Sequence, residues 1–184
     1  MLDRRVLDLS RSVLNALAAR LAARGIRADQ VSWFGFVAGL AAVPLIALQQ
    51  SLWAILPILV NRLADGVDGA LARQVGTTDR GAFLDIALDF LFYSSIPLAF
   101  ALADPDANAL AAAVLIYAFV GTGSTFLAFA VIAAKRGLTS TAYPGKGFYY
   151  LGGLTEASET IAVFAAMCLF PAGFPPLAYA FAAL

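Results

Sequence analysis

Apolar residues run together in five stretches, near 30–49, 52–73, 82–103, 108–134 and 148–170, each matching the roughly 20 helical residues that cross a hydrocarbon core. They predict five spanning helices. A sixth apolar segment, Phe174 to Leu184, begins with Pro175-Pro176 and stops too soon to span. It is either a short helix or one cut off by the end of the chain. The breaks between stretches carry turn chemistry: Gly76 to Gly81, Asp104-Pro105-Asp106, Gly137 through Pro144-Gly145, and Pro171-Ala172-Gly173. They leave no room for an extramembrane domain, so one transmembrane domain is expected over 1–184.

The residues ahead of the first span follow a different rhythm. Leu2, Val6, Leu9, Val13, Leu17 and Leu21 recur at steps of three and four, with Arg4, Asp8, Arg11 and Asn15 on the opposite face. This predicts an amphipathic helix over 1–25 lying along the membrane surface; a soluble helix packed on a partner is the alternative. Its arginines and its lack of an uninterrupted apolar run argue against a signal peptide. The expected fold is therefore an all-α integral membrane protein: a surface helix, then about six transmembrane helices with the last short.

Composition agrees, with 61% of residues hydrophobic and 13% charged, far from the balance of a soluble domain. A formal net charge of zero gives no reason to expect a nucleic-acid partner. Charge is nonetheless uneven along the chain. Every Lys and Arg lies before the first span, in the 74–80 or 135–147 loops, or in the halves of spans adjoining them. The positive-inside rule puts these regions and the amino terminus in the cytoplasm. With a lone cysteine, Cys168, and no histidine, disulfide frameworks and Cys or His metal sites are excluded, and carboxylates remain as ligands. Gly35 and Gly39 form a small-xxx-small pair suited to close helix packing, internal or between subunits.

The polar exceptions inside the apolar stretches carry the chemistry. Asp65 and Asp68 share one face of the second span at i,i+3, and Asp85 and Asp89 share one face of the third at i,i+4. A short loop joins the two spans, so both acidic pairs lie at similar depth, about one to two turns inside the cytoplasmic boundary. Each carboxylate costs at least ~2.5–3.5 kcal/mol in mid-membrane. Only Arg62 and Arg73 are near enough to offset them, so the like charges repel unless a cation sits among them. An all-oxygen set of this kind suits Mg²⁺ or Mn²⁺, as one or two ions. Gly66, Gly69 and Gly81 are interleaved with the acids and, with Arg73, describe a slot where a diphosphate could lie.

The string Asp65-x-x-Asp68-Gly69-x-x-Ala72-Arg73, followed by Gly81-x-x-x-Asp85-x-x-x-Asp89, resembles the signature of the class I CDP-alcohol phosphotransferases, membrane enzymes of phospholipid synthesis. The resemblance implies that Asp65, Asp68 and Asp85 hold metal ions, and that Asp89 both touches metal and takes the proton of an acceptor hydroxyl. Gly69, Ala72, Arg73, Thr78 and Gly81 would border the CDP moiety. Asp29-Gln30-Val31-Ser32 resembles the polar lead-in to the family's first span, which implies that Asp29 and Ser32 also border the nucleotide; Ala28 stands where a proline is often found. The implied partners are CDP-diacylglycerol or another CDP-alcohol, a hydroxyl acceptor, membrane lipid and a second copy of the chain. The implied place is the inner membrane of a bacterium, with the site on the cytoplasmic side.

Acceptor residues are less defined. Glu156 and Glu159, flanked by Thr155, Ser158 and Thr160, give the fifth span a polar stripe that could bind a polyol or a cationic headgroup. Alternatively the two acids pair with Arg62 or share a proton. Arg62, Lys135, Arg136 and Lys146 could receive a phosphate on the acceptor, or, for the last three, anchor helix ends to anionic lipid. Transfer of a phosphatidyl group to an alcohol is the leading expectation, ahead of transfer of a small headgroup to a lipid hydroxyl. A divalent-metal transporter fits less well, because the aspartates cluster toward one side only.

Overall fold

The computed structural model describes residues 2–137 and 157–184, with residues 2–10 as backbone alone. Its helices are α1 (Leu2–Ala23), α2 (Ala28–Leu40), α3 (Ala42–Ala47), α4 (Ser51–Val75), α5 (Asp79–Ala103), α6 (Pro105–Lys135), α7 (Ala157–Leu169) and α8 (Phe174–Ala182). No strand occurs among the described residues. Lys146, Glu156 and Thr155, as well as the start of the fifth apolar stretch, lie outside them.

Local chemistry sets the breaks. The first apolar stretch divides into α2 and α3 because Pro44 has no N–H to offer the Leu40 carbonyl and its ring crowds that oxygen; the two helices still form one 20-residue segment. That segment, α5 and α6 are long and apolar enough to cross a membrane, and α7 with α8 forms a further, bent candidate. α4 has 25 residues, about 37 Å at helical rise, but Arg62, Asp65, Asp68 and Arg73 interrupt its second half. Between α7 and α8 the chain bends by 119° at Pro171-Ala172-Gly173. The helix end leaves the Cys168 carbonyl without its usual partner, and Ser51 Oγ donates to it at 2.9 Å. Phe174 stacks on Phe100 at 4.5 Å and pins α8, which with nine residues is too short to span.

The bundle around the polar residues is built on α2, α4 and α5. The Gly35/Gly39 pair serves this internal contact: a Cβ on Gly35 would stand 2.5 Å from that of Ala64, and one on Gly39 would stand 2.8 Å from that of Asn61. Asn61 Nδ2 ties the same seam by donating to the Gly35 carbonyl at 3.2 Å. Two apolar clusters flank the polar layer. One joins Leu14 and Ala18 of α1 to Val31, Ala64, Val67 and Leu71; the other gathers Ile58, Phe92, Ile96, Phe119 and Phe164. α1 buries Leu14 and Ala18, whereas Val13, expected on its apolar face, is 60% exposed. Trp53, Leu56, Leu98, Leu102, Val120 and Val131 also point outward, the pattern of a surface solvated by lipid.

Candidate active site

α4 and α5 carry the site, and the linker between them sets its register. Gly76, with φ +107, turns the chain out of α4 in a conformation that side chains resist. Two residues later Thr78 caps α5, its Oγ1 accepting from Gly81 N at 3.0 Å. The two helices thus bring their acidic faces together. Asp65, Asp68 and Asp85 each offer an oxygen, and these oxygens all lie within 4.8 Å of one another.

A cavity of about 20 Å³, water-sized, opens beside them and is lined further by Ser32, Gly35, Asn61, Leu84, Leu88 and Asp89. Ser32 Oγ donates to Asp68 Oδ2 and to the Ala28 carbonyl. Arg62 forms an ion pair with Asp65 along α4. Three carboxylates converge here, with the Arg62 guanidinium beside Asp65. Hard oxygen ligands at this separation fit Mg²⁺ or Mn²⁺, so the donor set suits a divalent ion.

Asp89 is the fourth of the expected ligands. It lines the same cavity one turn further along α5 but is not one of the three clustered carboxylates. Its Oδ2 instead accepts from the Tyr93 hydroxyl at 3.3 Å.

The expected nucleotide-side residues collect at the adjoining ends of α2, α4 and α5. Asp29 pairs with Arg80 at 3.1 Å. A Cβ on Gly81 would lie 3.1 Å from Thr78 Oγ1 and 3.5 Å from Asp29 Oδ1, so these three residues adjoin. The Gly69 Cβ position is 3.4 Å from Arg73 Nη1, and Ala72 is half-buried beside it. Gly66 does not belong to this slot: it sits under Leu14, whose Cδ1 would be 3.1 Å from an added Cβ. Its role is to let α1 approach α4.

The expected acceptor residues are scattered. Arg62 is at the cluster through its pair with Asp65. Lys135 and Arg136 end α6, exposed and away from the cavity lining. Glu159 is half-buried in the first turn of α7, which packs on α4, beside the buried Thr160; Lys146 and Glu156 fall outside the described residues. Sequence reasoning passed over Tyr93 and Asn61. Both are four residues from an aspartate on the same helix, Tyr93 after Asp89 and Asn61 before Asp65, and that spacing was the available signal.

The chain is also similar to known proteins. The family described as CDP-alcohol phosphatidyltransferase matches residues 26–183. Inner membrane protein YnjF of Escherichia coli K12 is 50% identical over 184 residues, covering 100% of this chain and 89% of that protein. A phosphatidylinositol phosphate synthase of Streptomyces avermitilis is 41% identical over 80 residues, 42% of this chain and 32% of its own length. An archaetidylinositol phosphate synthase of Pyrococcus horikoshii is 36% identical over 90 residues, 48% of each chain. The chain therefore belongs to the CDP-alcohol phosphatidyltransferase family, as a membrane transferase of phospholipid biosynthesis acting on a CDP-alcohol and an alcohol acceptor.

Proposed function

We propose that this protein transfers a phosphatidyl group from CDP-diacylglycerol to a water-soluble alcohol, releasing CMP, with a divalent ion held by Asp65, Asp68 and Asp85. The observation that carries the reading is the convergence of those three carboxylates within 4.8 Å beside a fourth, Asp89, on the same cavity. A bound Mg²⁺ or Mn²⁺ would supply charge neutralisation for the diphosphate and for the departing CMP. Ser32 keeps Asp68 turned toward the cluster, and Arg62 does the same for Asp65.

Asp89 serves as the base. The acceptor oxygen bonds to the β-phosphorus as its proton passes to the Asp89 carboxylate, while the bond from that phosphorus to the bridging oxygen breaks and the electron pair leaves with CMP. Arg73, with Gly69 leaving space at its side, faces the nucleotide phosphate. Asp29, Thr78 and Gly81 border the rest of the CDP.

A lipid-bearing donor is supported by an apolar groove of about 450 Å³ between α1, α2 and α4, walled by Leu17, Leu21, Phe34, Val60 and Leu63. Its remaining wall residues include Ala64 and Val67, the chain neighbours of Asp65 and Asp68, so an acyl chain there would lie directly behind the carboxylates. Basic residues at the α4–α5 linker and the end of α6 favour the cytoplasmic leaflet of the inner membrane for this end.

The test is CMP release by purified protein in lipid with CDP-diacylglycerol, Mn²⁺ or Mg²⁺, and a panel of alcohols. Because two relatives are named for inositol phosphate lipids, the panel begins with inositol phosphate and adds glycerol phosphate, serine and inositol. Metal-dependent CMP release with one of them is expected. Silence with all of them, together with turnover of CDP-choline on diacylglycerol, would reverse the roles of donor and acceptor.

A further inference from the structure

The geometry points to Tyr93 as a positioning residue for Asp89, an inference that rests on the transferase reading above. Asp89 stands outside the three-carboxylate cluster, while Ser32 bonds to Asp68 and Arg62 pairs with Asp65. A carboxylate is also loosely held by its own bonds, since the terminal torsion of an aspartate is broad and nearly two-fold. Something must choose which oxygen faces an acceptor. Tyr93, one helical turn further along α5, donates its hydroxyl to Asp89 Oδ2 at 3.3 Å.

The donor is itself fixed. Tyr93 is 9% exposed, and its ring meets Phe90 of α5 at 6.2 Å, Phe119 of α6 at 5.9 Å and Phe164 of α7 at 6.1 Å. Edge and tilted contacts on three sides leave the ring little freedom to carry its oxygen elsewhere. With Oδ2 engaged, Oδ1 is the oxygen left to receive the acceptor's proton. The aromatic cage therefore links the base on α5 to α6 and α7, the helices that close the bundle on that side.

A structural role for the hydroxyl is the competing explanation: a buried Tyr oxygen needs a partner, and Asp89 supplies one. Tyr93→Phe separates the two, because the ring contacts remain. Catalytic positioning predicts a fall in kcat of about ten- to a hundredfold, with KM for donor and acceptor unchanged, beyond the small fall in thermal midpoint that the lost hydrogen bond brings. In an Asp89→Asn background the same change should have no further effect on residual turnover. A purely structural hydroxyl would lower the midpoint and leave kcat of the folded protein intact, which overturns the inference.

A second measurement does not need turnover. The infrared difference between wild type and Tyr93→Phe should contain a carboxylate stretching band that disappears when both proteins carry Asp89→Asn. Absence of that band refutes the hydrogen bond itself. No CMP from wild type with any acceptor would reject the transferase reading, and the catalytic role of Tyr93 with it, whatever the infrared band shows.

Discussion

Gly35→Ala adds a single methyl group at the seam between α2 and α4 and should disable the site from a distance. The new Cβ would stand 2.5 Å from the Ala64 Cβ, and ordinary carbon contacts lie near ~3.5–4.0 Å. Neither side chain can rotate away, since each is a methyl fixed to its backbone, so the helices must separate by about 1 Å. Overpacking of this kind costs about 1–3 kcal/mol, while replacing a mid-helix glycine by alanine returns about 0.5–1 kcal/mol. The net loss of stability is therefore modest, roughly 0–2.5 kcal/mol.

Activity should suffer more than stability does. Ser32, one turn earlier on α2, donates to Asp68 across this seam, and Asn61 holds the Gly35 carbonyl. A displacement of about 1 Å there can cost on the order of 100-fold in rate. Thermal unfolding in detergent and CMP release in lipid would be compared for wild type, Gly35→Ala and the double variant Gly35→Ala/Ala64→Gly. The double variant removes the opposing methyl and should recover most of the lost rate. Full activity in Gly35→Ala, or no recovery in the pair, would refute the seam as the element that sets the carboxylate cluster.

Other outcomes follow from individual contacts. Asp89→Asn should lower CMP release by about 100-fold or more while divalent-ion binding persists, because the three clustered acids remain. Ser32→Ala removes the donor to Asp68 and should weaken metal affinity about 10- to 100-fold, seen as a shift in the Mn²⁺ concentration giving half-maximal rate. Ser51→Ala deprives the Cys168 carbonyl of its donor at the α4–α7 contact; it should cost about 1–3 kcal/mol in stability and leave the turnover of the folded protein unchanged.

Much of the candidate site was legible in the sequence because helix periodicity is rigid. Spacings of three and four within Asp65/Asp68 and Asp85/Asp89, joined by a short linker, bring two acidic faces together without knowledge of the rest of the bundle. Gly35 and Gly39 announced a close approach but not its partner, since the choice between α4 and a second subunit depends on how distant segments pack. The same limit applies to Gly66. Its place beside the acids in the chain suggested a ligand slot, yet the helix turns it about 100° per residue, away from Asp65 and toward α1. Tyr93 was hidden by its aromatic neighbours: Phe90, Phe92 and Tyr93 read alike as apolar filler until the hydroxyl's direction is known. The break at Ala41 was written in Pro44, but a missing hydrogen bond within an apolar run leaves hydropathy unchanged.

The central claim is that Asp65, Asp68 and Asp85 together grip a divalent ion inside the membrane. Titrating Mn²⁺ into the purified protein in lipid, and following bound ion by electron paramagnetic resonance, tests it without reference to substrate. Saturable binding in wild type that is abolished in both Asp68→Asn and Asp85→Asn is the predicted result. Binding undiminished by either substitution, or none in the wild-type protein, would contradict the account.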